Sequence, residues 1–507
     1  GQVLTSGGSG AAPSWADVAG GGGVFDMTAT GAISAGDALG LNSNGTVSKI
    51  GSQSGFPSQP SQLETTAGYS STASGFEVTY DTAHDKFVVA FQQSGNAKVF
   101  AGTIGDSSSS TTPVIGSDAT VQNKNTNKGP QIIYDSAGSG KHIMLWSYYE
   151  GDSDTNCNSA VIDVTGSTPS VSSITTWHAN LRANQFSSCY DADNANVVVA
   201  WQSDGGQMYI RAGTVSSGTV SWGNKINFLT GSVTPSIEYD PDTNQVILLF
   251  STGGATRVIF FTVSGTTLTQ LTEQSSNKLQ HSSSDITTVY QFLKYEPQNN
   301  KLLITYNDST NGGLYAQAAT IGSNSITYGT RVALDSTSSG YDTTTGSRGT
   351  KIALKDATSG TFYVSYKRNN PRVYIQICSL SGTTVTVEGS RYTYSKSNSD
   401  IVYSPDDNII IQAQKNSANT LSIDSVKVVE NTPLPDAFIG FAGENISNAA
   451  SGEVKLIGNV VTGLSGLTPN TDIYVDTSAA LSTSSGGTNV KVGKALTSSA
   501  LLITRPD

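Results

Sequence analysis

One segment of the sequence has the spacing of calcium ligands. Oxygen-bearing side chains stand at positions 1, 3, 5, 7 and 12 of a loop-like stretch, namely Asp152, Asp154, Asn156, Asn158 and Asp163. Calcium takes about six to eight oxygen ligands, and this stretch supplies several. However, the glycine typical of position 6 is missing, Asp163 replaces a bidentate glutamate, and we expect a strand rather than a helix to follow. The sequence therefore favours a solvated hairpin over a weak calcium site, and it indicates no other cofactor.

Other residue types that perform chemistry are scattered. The four histidines have no zinc-binding spacing; they are His84, His142, His178 and His281. There is no nucleophile elbow and no repeated element of the sialidase kind. The sequence therefore indicates no catalytic residue and favours a non-enzymatic protein. A carboxylate pair acting on glycans stays as an alternative.

The three cysteines lie far apart and form no CxxC pair, so the sequence predicts neither a disulfide scaffold nor a zinc site. Cys189 precedes a Tyr-Asp step and Cys378 lies in an apolar run, which predicts that both belong to the core. Cys157 lies in a polar stretch. We expect it to be the one cysteine that meets solvent.

The elements that carry these residues are predicted to be β-strands. Only 13% of the 507 residues are charged, Gly occurs 53 times, and the apolar runs are short and β-branched. The net charge of −11 argues against nucleic acid as a partner, because phosphate backbones attract basic surfaces. No apolar run approaches the roughly 18–20 residues that cross a bilayer. We expect an all-β chain without membrane insertion.

A Tyr-Asp step followed by a β-branched run recurs through the middle of the chain. In the third copy, for example, Tyr190-Asp191 precedes the run 197–202. The seven anchors, of which the last three vary the motif, are Tyr80, Tyr134, Tyr190, Tyr239, Tyr295, Lys355 and Tyr403. Four strand-like runs in about 50 residues are typical of a propeller blade, and radial stacking buries both faces of each blade. The sequence predicts a seven-bladed β-propeller over residues 56–430, with each Asp accepting amide hydrogen bonds in its hairpin.

The chain ends lack the blade motif. Residues 1–23 finish in four glycines and are expected to be a flexible connector that continues an upstream fibre segment. Asn44-Gly45 between two apolar runs predicts a hairpin, and Pro433 and Pro435 mark the end of the propeller. We expect residues 24–55 and 431–507 to form one discontinuous small β module, into which the propeller is inserted.

The end segments resemble proteins of bacteriophage tail fibres. The first ten residues with Pro13-Ser14-Trp15 look like a short element of such fibres, and residues 31–50 with 438–503 resemble a small β domain of phage structural proteins. The central repeats are similar to propeller-like arrays of marine phage and bacterial surface proteins. The resemblance implies a protein on the virion surface or otherwise outside the cell. It also implies other fibre subunits, or further copies of the chain, as partners.

Three functions stay open on the sequence. The first is a virion-surface protein whose propeller attaches to a host-surface ligand, with a glycan favoured because Tyr and Trp are frequent. The second is a purely structural virion or fibril subunit. The third is a polysaccharide depolymerase. The sequence identifies neither the ligand nor the residues that bind it.

The seventh copy has too few strands for a full blade. It supplies three runs before Pro433, and spare chain lies upstream of the first anchor, from Ser52 to Ala67. We expect part of that chain, near residues 62–66, to pair as the fourth strand of the last blade. Such pairing would remove an exposed sheet edge.

Overall fold

The computed structural model describes most of the chain. The described residues are 2–5, 14–17, 24–29, 33–41, 45–50, 66–69, 73–105, 113–124, 126–136, 141–149, 155–179, 183–216, 218–231, 234–252, 254–273, 277–281, 284–285, 288–308, 312–335, 350–367, 372–394, 398–407, 409–415, 421–427, 438–447, 450–475, 480–485 and 490–504. Among them no helix is long and apolar enough to cross a membrane. The chain divides into two compact units, Gly1–Pro57 with Val429–Asp507, and Ser58–Val428.

The first unit, which we call the terminal unit, is built from strands of both chain ends. Its N-terminal strands are β1 (Gln2–Thr5), β2 (Ser14–Asp17), β3 (Val24–Thr28), β4 (Ala38–Leu41) and β5 (Val47–Lys49). Its C-terminal strands are β40 (Phe438–Ala442), β41 (Ser451–Lys455), β42 (Val460–Thr462), β43 (Asp472–Val475), β44 (Leu481–Ser482), β45 (Val490–Thr497) and β46 (Ala500–Ile503). One sheet has the order β3-β41-β40-β4-β5 and therefore joins the two ends, and a second has the order β42-β46-β45-β43-β44.

The predicted hairpin of the terminal unit is confirmed. Strands β4 and β5 pair antiparallel, with Leu41 opposite Val47. Gly45 in their connection has a φ of 83°, a left-handed conformation that glycine adopts without steric cost. In the stretch expected to be a connector, β1 pairs with β2.

The second unit contains eight sheets in the described part of the chain, and we number as blades the seven that have four or five strands. Blade 1 contains β7 (Ala73–Asp81), β8 (Lys86–Gln93), β9 (Asn96–Ile104), β10 (Pro113–Ile115) and β11 (Ala119–Gln122). Blade 2 contains β12 (Thr126–Tyr134), β13 (His142–Tyr149), β14 (Thr155–Asp163), β15 (Ser170–Val171) and β16 (Thr175–Ala179). Blade 3 contains β17 (Ala183–Asp191), β18 (Asn196–Ser203), β19 (Gln207–Ser216), β20 (Thr219–Trp222) and β21 (Ile226–Thr230). Blade 4 contains β22 (Ser236–Asp240), β23 (Gln245–Thr252), β24 (Ala255–Ser264) and β25 (Thr267–Gln270).

The remaining blades follow the same plan. A short pair, β26 (Gln280–His281) and β27 (Ser284–Asp285), separates blades 4 and 5. Blade 5 contains β28 (Thr288–Glu296), β29 (Lys301–Asp308), β30 (Leu314–Gly322), β31 (Ser325–Tyr328) and β32 (Val332–Asp335). Blade 6 contains β33 (Thr350–Leu354), β34 (Thr361–Lys367), β35 (Val373–Ser381) and β36 (Thr384–Tyr394). Blade 7 contains β37 (Asn398–Ser404), β38 (Ile409–Lys415), β39 (Leu421–Lys427) and β6 (Thr66–Tyr69).

The blades form a closed ring. Their first strands contact one another in the order β7, β12, β17, β22, β28, β33 and β37, and β37 contacts β7. This cyclic arrangement of antiparallel meanders is a β-propeller. In blades 1, 2, 3 and 5 the outermost strand is broken into two short strands that pair with the same third strand.

Glycine at these breaks allows neighbouring blades to approach. A Cβ on Gly223, after β20, would lie 2.2 Å from the carbonyl oxygen of Thr266 in blade 4. A Cβ on Gly329, after β31, would lie 2.3 Å from the carbonyl oxygen of Thr383 in blade 6. Only a residue without a side chain fits at such a separation, which explains the aromatic-Gly ending of these two runs.

The predicted closure of the ring by the upstream chain is confirmed, although the pairing strand is displaced. β6 pairs antiparallel with β39, with Tyr69 opposite Leu421 and Thr66 opposite Ile423. The strand therefore covers Thr66–Tyr69 rather than the expected 62–66. Residues 58–65 lie outside the described part.

The Tyr-Asp steps adopt the predicted turn chemistry. The Oδ1 atom of Asp81 accepts hydrogen bonds from the amides of Ala83 at 2.9 Å and His84 at 3.2 Å. In the fifth copy Glu296 replaces aspartate and still accepts the amides of its turn. The tyrosine hydroxyls join adjacent hairpins, since Tyr239 donates to Asp193 of the preceding blade at 2.8 Å.

Apolar side chains fill the spaces between blades. Trp201 is fully buried between blades 2 and 3, and Cys189 and Cys378 lie in the core as expected. The expectation for Cys157 is wrong, because this residue is 0% exposed on β14 and packs in the same core as Trp201. Its neighbours in sequence are polar, but Cys157 alternates with them on the strand and faces inward. Burial raises the pKa of its thiol to about 12.

Candidate functional site

The calcium-like spacing does not produce a cluster of ligands. Asn156, Asn158 and Asp163 lie along the single extended strand β14, with Asp163 at its far end. Asn158 is committed to Gln122 and Thr176, and Asp163 accepts hydrogen bonds from Thr165. A strand rises about 3.3 Å per residue, so these oxygens diverge instead of surrounding an ion.

The first two members of that spacing, Asp152 and Asp154, lie outside the described residues. Among the residues that are described, no group of His, Cys, Asp or Glu side chains could hold a metal ion.

A layer of polar and charged side chains lies on the innermost strands. Six members stand three residues before the anchor of their blade, Lys351 stands four residues before Lys355, and each pairs with the middle of the second strand of its blade. All members except Phe292 are polar or charged. The members are Glu77, Gln131, Ser187, Ser236, Phe292, Lys351 and Asp400. We call this set the inner layer.

The charged part of the inner layer joins three consecutive blades. The Nζ atom of Lys351 in blade 6 lies 2.6 Å from Glu77 Oε1 in blade 1 and 3.2 Å from Asp400 Oδ2 in blade 7. Phe292 of blade 5 extends the contact, since its ring centroid lies 5.1 Å from the same ammonium group. The network therefore spans the closure of the ring.

Both carboxylates of this network are also bound by main-chain amides. Asp400 Oδ2 accepts the amide of Val78 at 3.0 Å, and Glu77 Oε2 accepts the amide of Ile132 at 3.1 Å. Burial raises the pKa of Asp400, against the opposing effect of Lys351. A second inner pair, Glu238 and Lys294, lies 3.5 Å apart, and burial likewise raises the pKa of Glu238.

Two carboxylates close together with a perturbed pKa are one way to build a glycosidase acid–base pair. Here Lys351 and the amides of adjacent blades engage Glu77 and Asp400. A buried charge that loses its partner is strongly destabilising, so such a network fixes which groups must meet. These contacts join blades 6, 7 and 1 at the place where the ring closes.

A second recurrent arrangement lies at the end of the blades opposite the Tyr-Asp hairpins. In blades 3, 5 and 6 an aromatic residue of the second strand pairs with a tyrosine of the third: Trp201 with Tyr209, Tyr306 with Tyr315, and Tyr366 with Tyr374. A cation from the outer strand covers each tyrosine ring: Lys225 at 4.5 Å, Arg331 at 3.9 Å and Arg391 at 4.8 Å from the centroids. We call these the stack sites.

The stack sites escaped the sequence analysis because their members are far apart in the chain. A local signal was present, since a basic residue directly precedes a β-branched or aromatic run in each outer strand. Its partner tyrosine, however, could be recognised only from the strand register. The same holds for the inner layer, in which Glu77 meets Lys351 across most of the propeller sequence.

The expectation that aromatic residues form sugar platforms finds limited support in the propeller. Trp146, Trp177 and Trp201 are fully buried. Among the described residues, the one exposed large aromatic side chain is Phe25 of the terminal unit. The partly exposed groups of the stack sites are therefore the best remaining candidates for ligand contacts.

Comparison with known proteins adds only the fold. No protein-family model matches the chain, and no curated protein matches it. The periplasmic gluconolactonase of Pseudomonas aeruginosa aligns with 10% identity over 80% of this chain and 100% of its own, at a TM-score of 0.45. Oligogalacturonate lyase of Vibrio parahaemolyticus aligns with 8% identity over 81% of this chain and 100% of its own, also at 0.45.

A further similar structure is the β-propeller domain of Cps50 from Myceliophteria thermophila. It aligns with 10% identity over 72% of this chain and 99% of its own, at a TM-score of 0.41. Likeness at these values carries no argument about activity.

Proposed function

We propose that this chain is a virion-surface, tail-fibre-like protein whose propeller attaches to a host-surface ligand, most favourably a glycan. The observation that carries the proposal is the strand order of the terminal unit. Strands from residues 24–49 and from residues 438–455 share one sheet, so the whole propeller is an insertion between two halves of one module. The propeller and the terminal unit are two separate compact units of the chain.

Support for assembly with further subunits comes from edge strand β3. Val24 and Phe25 on this strand are 49% and 58% exposed. An exposed apolar edge strand is a template for pairing with another chain. Other fibre subunits or additional copies of this chain are the partners proposed for this edge.

Binding and localisation test the proposal together. The full chain, fluorescently labelled, is applied to an array of bacterial surface polysaccharides and to host cells, and antibodies against it are applied to intact phage particles. We expect saturable binding that soluble polysaccharide competes, and labelling of the particle surface. Phe25→Ser in the terminal unit is the matched control and should leave binding unchanged if the propeller is the binding part.

The two rival functions give different outcomes in the same experiment. Particle labelling without binding to any cell or polysaccharide would identify a purely structural subunit. Release of new reducing ends from a bound polysaccharide would identify a depolymerase. Absence of labelling on particles would remove the virion role altogether.

A further inference from the structure

In blades 1, 4, 5 and 6 a basic side chain lies beside the start of the third strand and forms an ion pair with a carboxylate. The pairs are Lys98–Asp118 at 2.7 Å, Arg257–Glu273 at 3.2 Å, Arg331–Asp308 at 2.7 Å and Arg391–Asp335 at 3.0 Å. Asp308 and Asp335 are fully or almost fully buried on blade 5, where Asp308 pairs within the blade and Asp335 pairs with Arg391 of blade 6.

Blade 3 departs from this rule. Lys225 is equivalent in strand register to Arg331 and Arg391. In each of the three blades, the residue that follows the cation pairs with the residue that follows the tyrosine of the stack site. The ammonium group of Lys225 lies over Tyr209 in the same way, and the side chain is exposed. Within the described part of the chain, no carboxylate forms an ion pair with Lys225.

The strand register shows why the acid is missing. Asp308 of blade 5 stands two residues after Tyr306, and the equivalent residue of blade 3, two after Trp201, is Ser203. Asp335 pairs with Leu314 of the third strand of blade 5. In blade 2 the residue equivalent to Leu314 is Cys157, and the residue that pairs with Cys157 is His178. Both carboxylate positions are therefore occupied by side chains without a negative charge.

Three buried polar atoms at this place have no hydrogen-bond partner among the described residues: Ser203 Oγ, His178 Nε2 and Trp201 Nε1. The His178 ring lies 5.0 Å from the Trp201 ring and 5.7 Å from the Tyr209 ring. Buried polar atoms in folded proteins nearly always have a partner, and each exception needs an explanation.

The electrostatic environment favours an anion. Burial, followed by the charges of Lys225 and Arg211, lowers the pKa of His178 to about 4, so its ring is neutral near pH 7. Arg211 donates to the carbonyl oxygens of Gly223 at 2.5 Å and Trp177 at 2.6 Å, and no acid among the described residues forms an ion pair with it. Two cations without a carboxylate are unusual in a chain of net charge −11.

We propose that the cluster of His178, Trp201, Ser203, Tyr209 and Lys225, which we call the blade 3 cluster, binds the carboxylate of an acidic saccharide. The ligand carboxylate takes the role that Asp308 and Asp335 play in blades 5 and 6. The exposed amides of Asn224 and Asn227 adjoin Lys225 in sequence and suit sugar hydroxyls. The saccharide part rests on the proposed function, whereas the anion part rests on the register comparison alone.

Ser203→Asp is the decisive variant, because it supplies the missing carboxylate from the protein. Titration of the full chain with sodium D-glucuronate, followed by calorimetry and tryptophan fluorescence, measures binding. We expect Ser203→Asp and Lys225→Gln each to weaken glucuronate binding at least tenfold, and Ser203→Asp to raise the melting temperature. Lys301→Gln, which removes a charge at the hairpin end of blade 5, is the matched control and should bind like the wild type.

The probes separate the two parts of the proposal. Neutral D-glucose that binds as tightly as glucuronate would overturn the carboxylate role, and sodium acetate or sulfate that binds as tightly would overturn the saccharide role. Glucuronate binding that is absent, or equal in wild type, Ser203→Asp and Lys225→Gln, would overturn both.

Failure of the proposed function is distinguishable from failure of this inference. If glucuronate binding depends on Lys225 but the chain does not adsorb to host cells, the blade 3 cluster is supported as a binding site and the attachment role is refuted. If Ser203→Asp and Lys225→Gln adsorb to host cells and bind glucuronate as the wild type does, the attachment role is supported and the blade 3 cluster is refuted as the binding site.

Discussion

The two faces of blade 7 differ in how far their buried polar groups are hydrogen-bonded. On the face toward blade 1, Ile411 and Ile423 pack with Phe87, Phe91 and Phe100 in a core of fully buried apolar side chains. These residues join segments from the two ends of the propeller sequence. Buried polar groups on this face have partners, since Asp400 accepts the amide of Val78 at 3.0 Å and Ser404 bonds the Tyr80 hydroxyl at 3.0 Å.

The face toward blade 6, which we call the polar face, combines buried apolar residues (Ile401, Ile410 and Val426) with several buried polar ones. Tyr403 stacks on Tyr363 of blade 6 with ring centroids 5.4 Å apart, and Gln412, Gln414 and Ser422 share that face. These three side chains are at most 1% exposed, yet both amide atoms of Gln412, Oε1 of Gln414 and Oγ of Ser422 have no hydrogen-bond partner in the part of the chain that the structure describes.

The difference follows from chain connectivity. Blades 6 and 7 are consecutive in sequence, so a short connection already brings them together. Blades 7 and 1 are separated by almost the whole propeller, and bringing their chains together carries a larger loop-closure entropy. A continuous apolar interface and strand β6 stabilise that closure, and Lys351 adds a charged contact across it.

Removal of β6 should have the largest effect on this comparison. Deletion of Thr66–Tyr69 takes away the fourth strand of blade 7 and exposes the edge of β39, so we expect the melting temperature to fall by roughly 10 °C. Differential scanning calorimetry measures the change. Deletion of residues 58–61 shortens the same connection equally, and a fall of the same size in this control would contradict the role of β6.

Truncation on the apolar face of blade 7 comes next. Ile411→Ala leaves a cavity in the closure core and should lower the free energy of unfolding by about 2–5 kcal/mol, against about 0.5–1.5 kcal/mol for Ile411→Val. Denaturant titration provides both values. Equal, small effects for the two variants would show that the closure interface does not contribute the stability assigned to it.

The titration of His142 reports the free-energy cost of burying a polar group among apolar side chains. It occupies the place of Phe87 in blade 1, and neither ring nitrogen has a hydrogen-bond partner among the described residues. Burial lowers its pKa from 6.5 to about 4, so the folded state binds fewer protons than the unfolded state. The titration of His142 therefore leaves the free energy of unfolding unchanged above pH 6.5 and lowers it as the pH falls from about 6.5 to about 4.

His142→Leu should remove this part of the decline, worth up to about 3 kcal/mol at the acid end. Urea unfolding at a series of pH values measures it. Val197→Leu, at the equivalent place in blade 3, introduces the same side chain without removing a titrating group and should keep the wild-type pH profile. Identical profiles for wild type and His142→Leu would show that the imidazole is not buried uncharged.

The smallest effect is expected on the polar face of blade 7. Gln412→Leu replaces an amide whose two polar atoms are both unpaired, so the lost interactions are few and the desolvation cost disappears. We expect the free energy of unfolding to stay within about 1 kcal/mol of the wild type or to rise. A loss comparable to that of Ile411→Ala would mean that the polar face is as important to stability as the apolar one.

The repeating part of the fold was predictable because its signals are local. Tyr-Asp steps, β-branched runs and the Asn44-Gly45 hairpin each act within a few residues of one another. Turn hydrogen bonds such as those of Asp81 depend on no distant partner. The need for a fourth strand in blade 7 was also predictable, because it follows from counting runs before Pro433.

Other features were decided only by the tertiary structure. The residues of β6 that pair, the inward orientation of Cys157 and the meeting of Lys351 with Glu77 depend on strand register across blades. A one-residue change of register turns every side chain of a strand to its other face. Lys225 shows the same limit at the candidate site. Its sequence marks it as an ordinary surface lysine, and only its alignment with Arg331 and Arg391 shows that the acid which balances those cations is missing in blade 3.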